Sequence, residues 1–186
     1  MGQTRETIIL ASGSPRRRCL LETARFNLDI RVPNADETWP GGTPQRGTVE
    51  IARRKLGCIG AVEGLVLAAD TVVVLGDERL GKPRDAADAV KMLQALSDCE
   101  HQVVTGFCLS KNGVHRDGAV TTRVWFRKLT QLEIDVYVQS TEPWDKAGAY
   151  AIQGAAGAFI DRIEGSYTNV VGLPVAEVIA AAESLS

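Results

Sequence analysis

Residues 65–75 have the sequence Leu-Val-Leu-Ala-Ala-Asp-Thr-Val-Val-Val-Leu, an apolar run rich in β-branched residues that a single carboxylate, Asp70, interrupts. A run of this length and composition predicts a central strand that is buried on both faces. Such strands are typical of sheets that are covered by helices on both sides. The run therefore indicates a sheet of the α/β class.

The segments on either side of this strand support the same fold class. Residues 8–11 predict a first strand, residues 15–25 a helix and residues 28–32 a second strand, which is a strand–helix–strand beginning. Further along, the pair Asn112-Gly113 predicts a hairpin, so the second half of the chain contains antiparallel pairing. Residues 140–172 are rich in Gly, Ala and aromatic residues, and we expect a long irregular loop there.

Bulk composition limits the class of protein. A chain of 186 residues with 45% hydrophobic residues can bury a substantial core, so we expect one domain over residues 1–186 with two lobes. The net charge of −2 argues against a nucleic-acid or acidic-membrane partner. The four cysteines form no C-x-x-C pair, which argues against a zinc site. Without a signal peptide or a spanning segment, we expect a cytoplasmic protein.

Asp70 is the strongest candidate for chemistry in the central strand. A carboxylate there loses hydration and is rarely retained without a partner. It is predicted to be a general base or a ligand of a hard cation, and a structural carboxylate is the alternative. Thr71 offers a neighbouring hydroxyl, while Asp36 and Glu37 in a Pro/Gly-rich loop offer further oxygens for Mg²⁺.

The segment Ser12-Gly13-Ser14-Pro15-Arg16-Arg17-Arg18 predicts an anion site at the start of a helix. Ser14 can cap the helix, and Pro15 suits its first turn because the missing N–H costs nothing there. The free N–H groups and the positive end of the helix dipole then face the loop, and arginines match phosphate oxygens. A well-capped helix with a solvated basic face is the alternative.

Three lysines form a further group of candidates, each beside a glycine, a proline or an acidic residue. Lys82 is the best of them, because Gly81 and Pro83 form a short rigid loop soon after the central strand. Lys55 lies at the edge of an apolar helical face formed by Val49, Ala52, Leu56 and Ile59 and could equally be a solubilising residue. Lys146 lies in the Gly/Ala-rich region.

Gln153 follows in the same Gly/Ala-rich region, where it could recognise the edge of a base by hydrogen bonds. A glutamine that satisfies backbone groups of a tight segment is the alternative. The P-loop, the nucleophile elbow and the H-E-x-x-H zinc helix are all absent from the sequence. A phosphate cradle, a buried carboxylate and a divalent ion together indicate phosphoanhydride hydrolysis.

These residues resemble the Maf family of nucleotide pyrophosphatases, from near the start of the chain to about residue 175. Separated motifs of the family occur in order, so the resemblance is specific. They are Leu10-Ala11-Ser12-Gly13-Ser14-Pro15-Arg16-Arg17, Ala52-Arg53-Arg54-Lys55, Ala69-Asp70-Thr71-Val72-Val73, Gly81-Lys82-Pro83-Arg84-Asp85, His101-Gln102-Val103-Val104-Thr105-Gly106 and Glu142-Pro143-Trp144-Asp145-Lys146-Ala147-Gly148-Ala149-Tyr150-Ala151-Ile152-Gln153-Gly154.

The resemblance implies an α/β fold like that of inosine-triphosphate pyrophosphatases, with a mixed sheet flanked by helices and two lobes around a central cleft. It implies hydrolysis of a nucleoside triphosphate to the monophosphate and pyrophosphate with Mg²⁺ or Mn²⁺. The intact segment 149–154 is similar to the branch that acts on dTTP and UTP, rather than the branch that prefers 7-methyl-GTP. We also expect a homodimer as one assembly of such a protein.

The resemblance also implies a role for individual residues. Asp70 takes the position of the proton acceptor for water, and Glu37 that of a loop carboxylate that serves the metal or the water. Positions that handle phosphate or base complete the set. They are Ser12, Arg16, Arg17, Lys55 and Lys82 for phosphate, and Arg16, Thr71 and Gln153 for the choice of base; Lys146 is an expected substrate contact.

Two other classes of function remain open from the sequence. A regulatory module could bind a nucleotide in the same cradle without hydrolysing it. Asp70 argues against this alternative, since a carboxylate beside phosphates weakens binding unless a metal intervenes. Residues 16–18 could instead contact RNA, but the acidic total and the lack of interleaved aromatic residues disfavour that interpretation.

Overall fold

The computed structural model describes residues 5–185, without the side chains of residues 5 and 6. The chain forms two compact units. The first contains the residues up to Thr71, Thr105–Val120 and the residues from Gly172 onward. The second contains Val72–Val104 and Thr121–Val171. Each unit has its own core.

Strands and helices follow one another along the described residues, with three short 3₁₀ helices at Pro143–Asp145, Ala147–Ala149 and Ala155–Phe159. The strands are β1 (Arg5–Leu10), β2 (Phe26–Ile30), β3 (Leu65–Leu75), β4 (Glu78–Leu80), β5 (Glu100–Lys111), β6 (Val114–Phe126) and β7 (Ile160–Glu164). The helices are α1 (Pro15–Thr23), α2 (Pro44–Gly57), α3 (Ala86–Leu96), α4 (Gln131–Val138), α5 (Tyr167–Val171) and α6 (Val175–Glu183).

The sheet is mixed, as expected from the sequence. Its strand order is β2-β1-β3-β5-β6-β7, and β4 pairs with β3. The pairs β1–β2 and β1–β3 are parallel, whereas β3–β4 and β6–β7 are antiparallel. The prediction of a central strand over residues 65–75 is confirmed, because β3 has these bounds and is buried at residues 65–69 and 72–74.

The core of the first unit packs helices against β1, β3 and β5. Ile8, Leu10, Leu65 and Leu67 are fully or almost fully buried there, together with Leu173 after the last strand. A smaller cluster brings the apolar face of α2 to the same strands. This packing fixes α2 close to β3, and both elements carry candidate residues.

The core of the second unit packs α3 and α4 against the sheet and is richer in aromatic residues. Phe126, Tyr137, Tyr150 and Phe159 belong to it, with edge-on contacts between their rings. His101 lies among these rings and is 1% exposed. The 3₁₀ segments that precede β7 are therefore anchored in a core of their own.

Local signals located several helix ends and one turn correctly. Ser14 and Thr43 are N-caps followed by Pro at the first turn, and Thr130 forms a full capping box with Glu133. The hairpin at Asn112-Gly113 joins β5 to β6, with φ of 52° and 81° at the two turn residues. No helix among residues 5–185 has both the length and the apolar character that crossing a membrane requires.

Other predicted boundaries of helices and strands were wrong, and the prediction of a long irregular loop over residues 140–172 was also wrong. This region contains 3₁₀ helices, β7 and α5 instead of one irregular loop. The strand β7 escaped the prediction because its five residues include two acidic residues and one arginine, and it lies at the edge of the sheet. Helix α1 ends at Thr23, and Arg25 takes a φ of 65°, which no regular helix allows.

Candidate functional site

Two carboxylates of the first unit meet a single ammonium group. Lys55 Nζ donates to Asp70 Oδ1 at 2.8 Å and lies 3.2 Å from Glu37 Oε2. The side chain of Lys55 is 8% exposed and that of Asp70 is 16% exposed, whereas that of Glu37 is 58% exposed. The cluster therefore runs from the interior of the unit to solvent, with β3, α2 and the loop before α2 contributing one residue each.

The structure corrects the prediction that Lys55 lies at the edge of the apolar face of its helix and could be a solubilising residue. Lys55 lies on the buried face of α2 with Ile51, Ala52 and Leu56, while Val49 is only half-buried. A buried ammonium is unfavourable without charged partners. Asp70 and Glu37 are those partners, so Lys55 is not a solubilising residue.

Arg17 links the start of α1 to β3 and to the turn before α6. Its Nε donates to the carbonyl oxygen of Gly172 at 2.9 Å, Nη1 to Ser12 Oγ at 3.2 Å and Nη2 to Thr71 Oγ1 at 3.0 Å. Thr71 Oγ1 also lies 2.9 Å from Thr105 Oγ1. Arg17 thus connects the predicted anion segment to β3 and to Gly172, and all three of these partners are neutral.

Burial lowers the pKa of Arg17, and the negative charge of Asp70 opposes that effect. Arginine remains charged in proteins, so a buried guanidinium that bonds neutral groups keeps an attraction for a further anion. It also has five N–H donors, more than its protein partners use. Arg17 can therefore hold the loop and bind an anion at the same time.

The remaining residues of the anion segment differ in their surroundings. Ser14 caps α1 by accepting from Arg17 N at 3.5 Å, and Ser12 Oγ accepts from Ser14 N at 3.2 Å. Arg16 is half-buried. Arg18 is exposed and pairs with Glu22 at 2.7 Å, which makes it a surface residue of the helix.

The loop that carries Glu37 is fastened to α2 at two points. Arg54 Nη1 donates to the carbonyl oxygen of Thr38 at 2.8 Å and lies 3.6 Å from Asp36 Oδ2. The ring of Trp39 lies directly on Gly47, where a Cβ atom would be 2.0 Å from the ring. Helix α2 therefore positions Glu37 as well as Lys55.

Asp70 and Glu37 fit the ligand set of Mg²⁺ or Mn²⁺. Both carboxylates face one cationic atom, Lys55 Nζ, and Mg²⁺ is usually bound by one or two carboxylates with water and substrate phosphates completing the shell. Residues 5–185 contain no group of three or more His, Cys, Asp or Glu side chains that could hold a metal ion. The donor set matches a metal that arrives with a phosphate ligand.

A surface pocket of about 520 Å³ lies on another side of α2 and contains none of the predicted site residues. Its walls include Arg46, Glu50, Arg53 and Asp117. Arg53 is already paired with Asp117 at 2.6 Å. We place the candidate site at the Lys55 cluster, because charge and burial converge there.

The second unit contains Lys82, Lys146 and Gln153. Lys82 is exposed, and its side chain makes no hydrogen bond or ion pair within residues 5–185. The carbonyl oxygen of the preceding residue, Gly81, accepts from Gly148 N at 3.0 Å. Lys146 is mostly buried, donates to the carbonyl oxygen of Glu142 at 2.6 Å and bonds the Asp145 carboxylate.

Gln153 lies in a turn that is closed by the hydrogen bond from Gly154 N to the carbonyl oxygen of Ala151 at 3.1 Å. Its side chain is exposed and has no hydrogen-bond partner within the described part of the chain. The alternative in which Gln153 satisfies backbone groups is therefore wrong. The amide is available to a ligand.

Sequence reasoning missed the residues that hold the site together. Trp39, Gly47 and Arg54 fix the loop of Glu37, and Gly172 accepts from Arg17 across 155 residues of sequence. Arg54 belongs to one of the sequence motifs, but its role depends on the position of a loop that no local pattern predicts. The contact with Gly172 has no sequence signal at all.

Comparison with known proteins gives one family and several close relatives. Residues 7–185 match the family described as Maf-like protein. A "dTTP/UTP pyrophosphatase" of Anaeromyxobacter dehalogenans is 52% identical over 179 residues, which cover 93% of this chain and 91% of that protein. A protein of the same name from Vibrio cholerae is 46% identical over 174 residues, covering 91% of this chain and 93% of that protein.

The comparison of structures concerns the fold alone. "The structure of the Staphylococcus aureus Ham1 protein" is similar with a TM-score of 0.56 at 15% sequence identity. The match covers 97% of this chain and 100% of that chain. The expected mixed α/β architecture is confirmed.

Proposed function

Because the chain belongs to the Maf family, we propose that it is a nucleotide pyrophosphatase that hydrolyses dTTP and UTP to the monophosphate and pyrophosphate. Relatives named dTTP/UTP pyrophosphatase share 46–52% of its residues over more than nine tenths of its length. The enzyme would act in nucleotide metabolism in the cytoplasm, where its substrates are made and used. A homodimer stays a prediction.

One observation carries this proposal: Asp70 and Glu37 share the buried ammonium of Lys55. A pure binding module gains nothing from two carboxylates beside phosphates unless a metal ion lies between them, because like charges repel. A hydrolase needs a carboxylate that can take a proton from the attacking water. Lys55 offsets one of the two negative charges of the pair, which weakens the repulsion between the carboxylates and a polyanionic substrate.

In the proposed reaction, water attacks the α-phosphorus and the bond to the bridging oxygen of the β-phosphate breaks. Asp70 accepts the proton of the water, and pyrophosphate leaves with the electrons of the broken bond. Ser12, Arg16, Arg17, Lys55 and Lys82 bind phosphate oxygens and stabilise the charge that develops on them. The chain's own residues thus supply the base and the cationic surroundings.

Asp70 and Glu37 would hold Mg²⁺ or Mn²⁺ on the phosphates. Such an ion withdraws charge from phosphoryl oxygens when bound. Thr71, Arg16 and Gln153 are proposed to select the pyrimidine base, and Lys146 to support substrate binding. The Gln153 amide, which has no hydrogen-bond partner within residues 5–185, and the fixed hydroxyl of Thr71 support these roles.

A panel of nucleoside triphosphates with Mg²⁺ or Mn²⁺, compared between wild type and Asp70→Asn, tests the proposal. The wild type is expected to prefer dTTP and UTP. Asp70→Asn is expected to lose about 10²–10⁴-fold in kcat, the usual contribution of a general base. It should still bind UTP in isothermal titration, because the phosphate-binding side chains remain. Full activity in Asp70→Asn would remove that residue from the mechanism.

A further inference from the structure

The loop that carries Gln153 is fastened within its unit by one carboxylate, that of Glu142. Glu142 Oε2 accepts from the backbone N–H of Ala155 at 2.9 Å, and Oε1 accepts from that of Ala156 at 3.4 Å. Oε1 also accepts from the Tyr137 hydroxyl at 2.9 Å. One side chain therefore joins α4 to the backbone two and three residues after Gln153.

The 3₁₀ helix Ala155–Phe159 needs this carboxylate because its N-cap residue, Gly154, has no side chain. The first N–H groups of a helix have no partner within the helix, and a negatively charged acceptor is favoured there. Glu142 supplies that acceptor from an earlier part of the loop. The carboxylate thus replaces the cap that the local sequence lacks.

Gly154 packs against the same carboxylate. A Cβ atom at this position would lie 2.2 Å from Cδ and from both carboxylate oxygens of Glu142. The φ of Gly154 is −106°, which any residue can adopt, so space rather than backbone conformation requires glycine. The backbone beside Gln153 therefore follows the position of the Glu142 side chain.

The other end of this linkage lies in the core. Tyr137 is 4% exposed and packs edge-on against Phe159 with the ring centroids 5.1 Å apart. Burial, and then the hydrogen bond to Glu142, raise the pKa of Tyr137, so its hydroxyl remains a donor at neutral pH. Glu142 is thus held by a buried partner, and its bonds to Ala155 and Ala156 connect that position in the core to the turn.

We propose that Glu142 is a positioning residue for base selection: its carboxylate fixes the turn of residues 151–154 and thereby the place from which Gln153 contacts the pyrimidine. The inference rests on the proposed function, in which Gln153 contacts the base. Within residues 5–185 the Gln153 amide has no partner of its own, so its position depends on the backbone of the turn. A displacement of about 1 Å in a positioning group can cost about 10²-fold in rate.

The first test compares kcat/KM for UTP and CTP in wild type, Glu142→Gln and Gly154→Ala. Glu142→Gln places an NH₂ group against backbone N–H donors, and Gly154→Ala pushes on the same contact from the opposite side. Both variants are expected to raise KM for UTP by about tenfold or more, with a smaller change in kcat, and to lower the preference for UTP over CTP.

A double-mutant cycle with Gln153→Ala tests whether Glu142 acts through Gln153. We expect the preference of Glu142→Gln/Gln153→Ala for UTP to equal that of Gln153→Ala alone. Glu133→Gln is the matched control, because Glu133 is also a capping carboxylate with several donors, Thr130 and Arg127, at the far end of α4. It is expected to lower the melting temperature and leave the preference unchanged.

The possible results separate this inference from the proposed function. If Gln153→Ala loses the preference while Glu142→Gln and Gly154→Ala keep it, the inference is overturned and the proposed function stands. Additive losses in the cycle also overturn it, since Glu142 would then act independently of Gln153. If the wild type releases no pyrophosphate from UTP, the proposed function fails, and the inference fails with it.

Discussion

At the scale of single residues, the arrangement of Asp70, Lys55 and Glu37 is the feature with most consequence. Lys55 is mostly buried and has two carboxylate partners, so its removal leaves their negative charges facing the substrate without compensation. We expect Lys55→Met to lower kcat/KM for UTP by about 10²–10³-fold, as is usual for the loss of one group that stabilises developing charge.

Lys91→Met is the control for this prediction, because Lys91 is an exposed lysine of α3. It should leave kcat/KM unchanged in the same steady-state assay. Equal activities of the two variants would show that the ammonium of Lys55 has no part in catalysis.

His101 gives the second prediction at this scale. Burial lowers its pKa to about 4, its Nε2 lies 2.8 Å from the Tyr150 hydroxyl, and its Nδ1 has no hydrogen-bond partner among the described residues. As the pH falls below about 6.5, His101 becomes protonated in the unfolded chain, whereas in the folded chain it stays neutral until the pH approaches 4. This group's contribution to stability is therefore complete above pH 6.5 and is lost progressively as the pH falls towards 4.

Replacing His101 with Gln removes the titration and keeps a group that can bond Tyr150. Between pH 6.5 and 5, we expect the free energy of unfolding of the wild type to fall by about 2 kcal/mol more than that of His101→Gln. Urea titrations at several pH values measure this difference. Parallel pH profiles of the two proteins would contradict the assignment, whatever their absolute stabilities.

Individual residues could be predicted from the sequence where their own chemistry marked them. Asp70 was conspicuous because a carboxylate interrupts an apolar run, and Ser14 because it precedes Pro15. Lys55 was misplaced because the helical pattern treats a lysine as polar and cannot anticipate buried carboxylate partners from other elements. Arg17 connects α1 to the turn before α6 through its hydrogen bond to Gly172, and no local sequence pattern predicts that contact.

At the scale of elements, α2 and the loop before it act together. The Trp39 ring lies on Gly47, and a Cβ atom there would be 2.0 Å from it. Alanine in a helix interior is ordinarily more favourable than glycine by up to about 1 kcal/mol. We nevertheless expect Gly47→Ala to destabilise the protein and to lower kcat, since Trp39 and the loop that carries Glu37 must move.

Helix α2 also supplies the matched control for this prediction, Gly57→Ala. A Cβ atom at Gly57 has no atom within 4 Å, so this variant tests helix propensity alone. It should be neutral or slightly stabilising, with unchanged kcat. If thermal melts and rates show the same small effect for both variants, the contact of Trp39 with Gly47 does not position the loop.

The elements themselves were predictable when they were long and strongly patterned. Strand β3 has eleven residues, and its bounds were predicted correctly because its apolar run is unbroken on both sides of Asp70 and Thr71. Strands β4 and β7 were missed, since each is short and charged and is defined by its pairing partner rather than by its own sequence. Such segments become strands because they pair with other strands in the tertiary structure.

At the scale of the whole molecule, the two units share continuous strands. The boundaries between the units fall within β3, β5 and β6, so each of these strands contributes residues to both. Unfolding of one unit would therefore disrupt strands of the other. We expect a single cooperative transition, as in small single-domain proteins.

The tryptophans provide separate probes of this prediction. Trp39 belongs to the first unit, and Trp125 and Trp144 belong to the second. In Trp39→Phe the remaining tryptophans report on the second unit, and in Trp125→Phe/Trp144→Phe the remaining tryptophan reports on the first. In each variant, we expect the urea-induced transition seen by fluorescence to coincide with the transition seen by circular dichroism. A fluorescence transition that precedes the loss of secondary structure would show that one unit unfolds alone.

The central claim concerns the activity of the whole molecule. It is that the protein hydrolyses the bond between the α- and β-phosphates of dTTP and UTP. Phosphorus NMR of the products formed with Mg²⁺ measures this directly. Equal amounts of nucleoside monophosphate and pyrophosphate are the expected result, and Asp70→Asn should form product about 10²–10⁴-fold more slowly. Release of orthophosphate with nucleoside diphosphate, or tight nucleotide binding without any product, would contradict it.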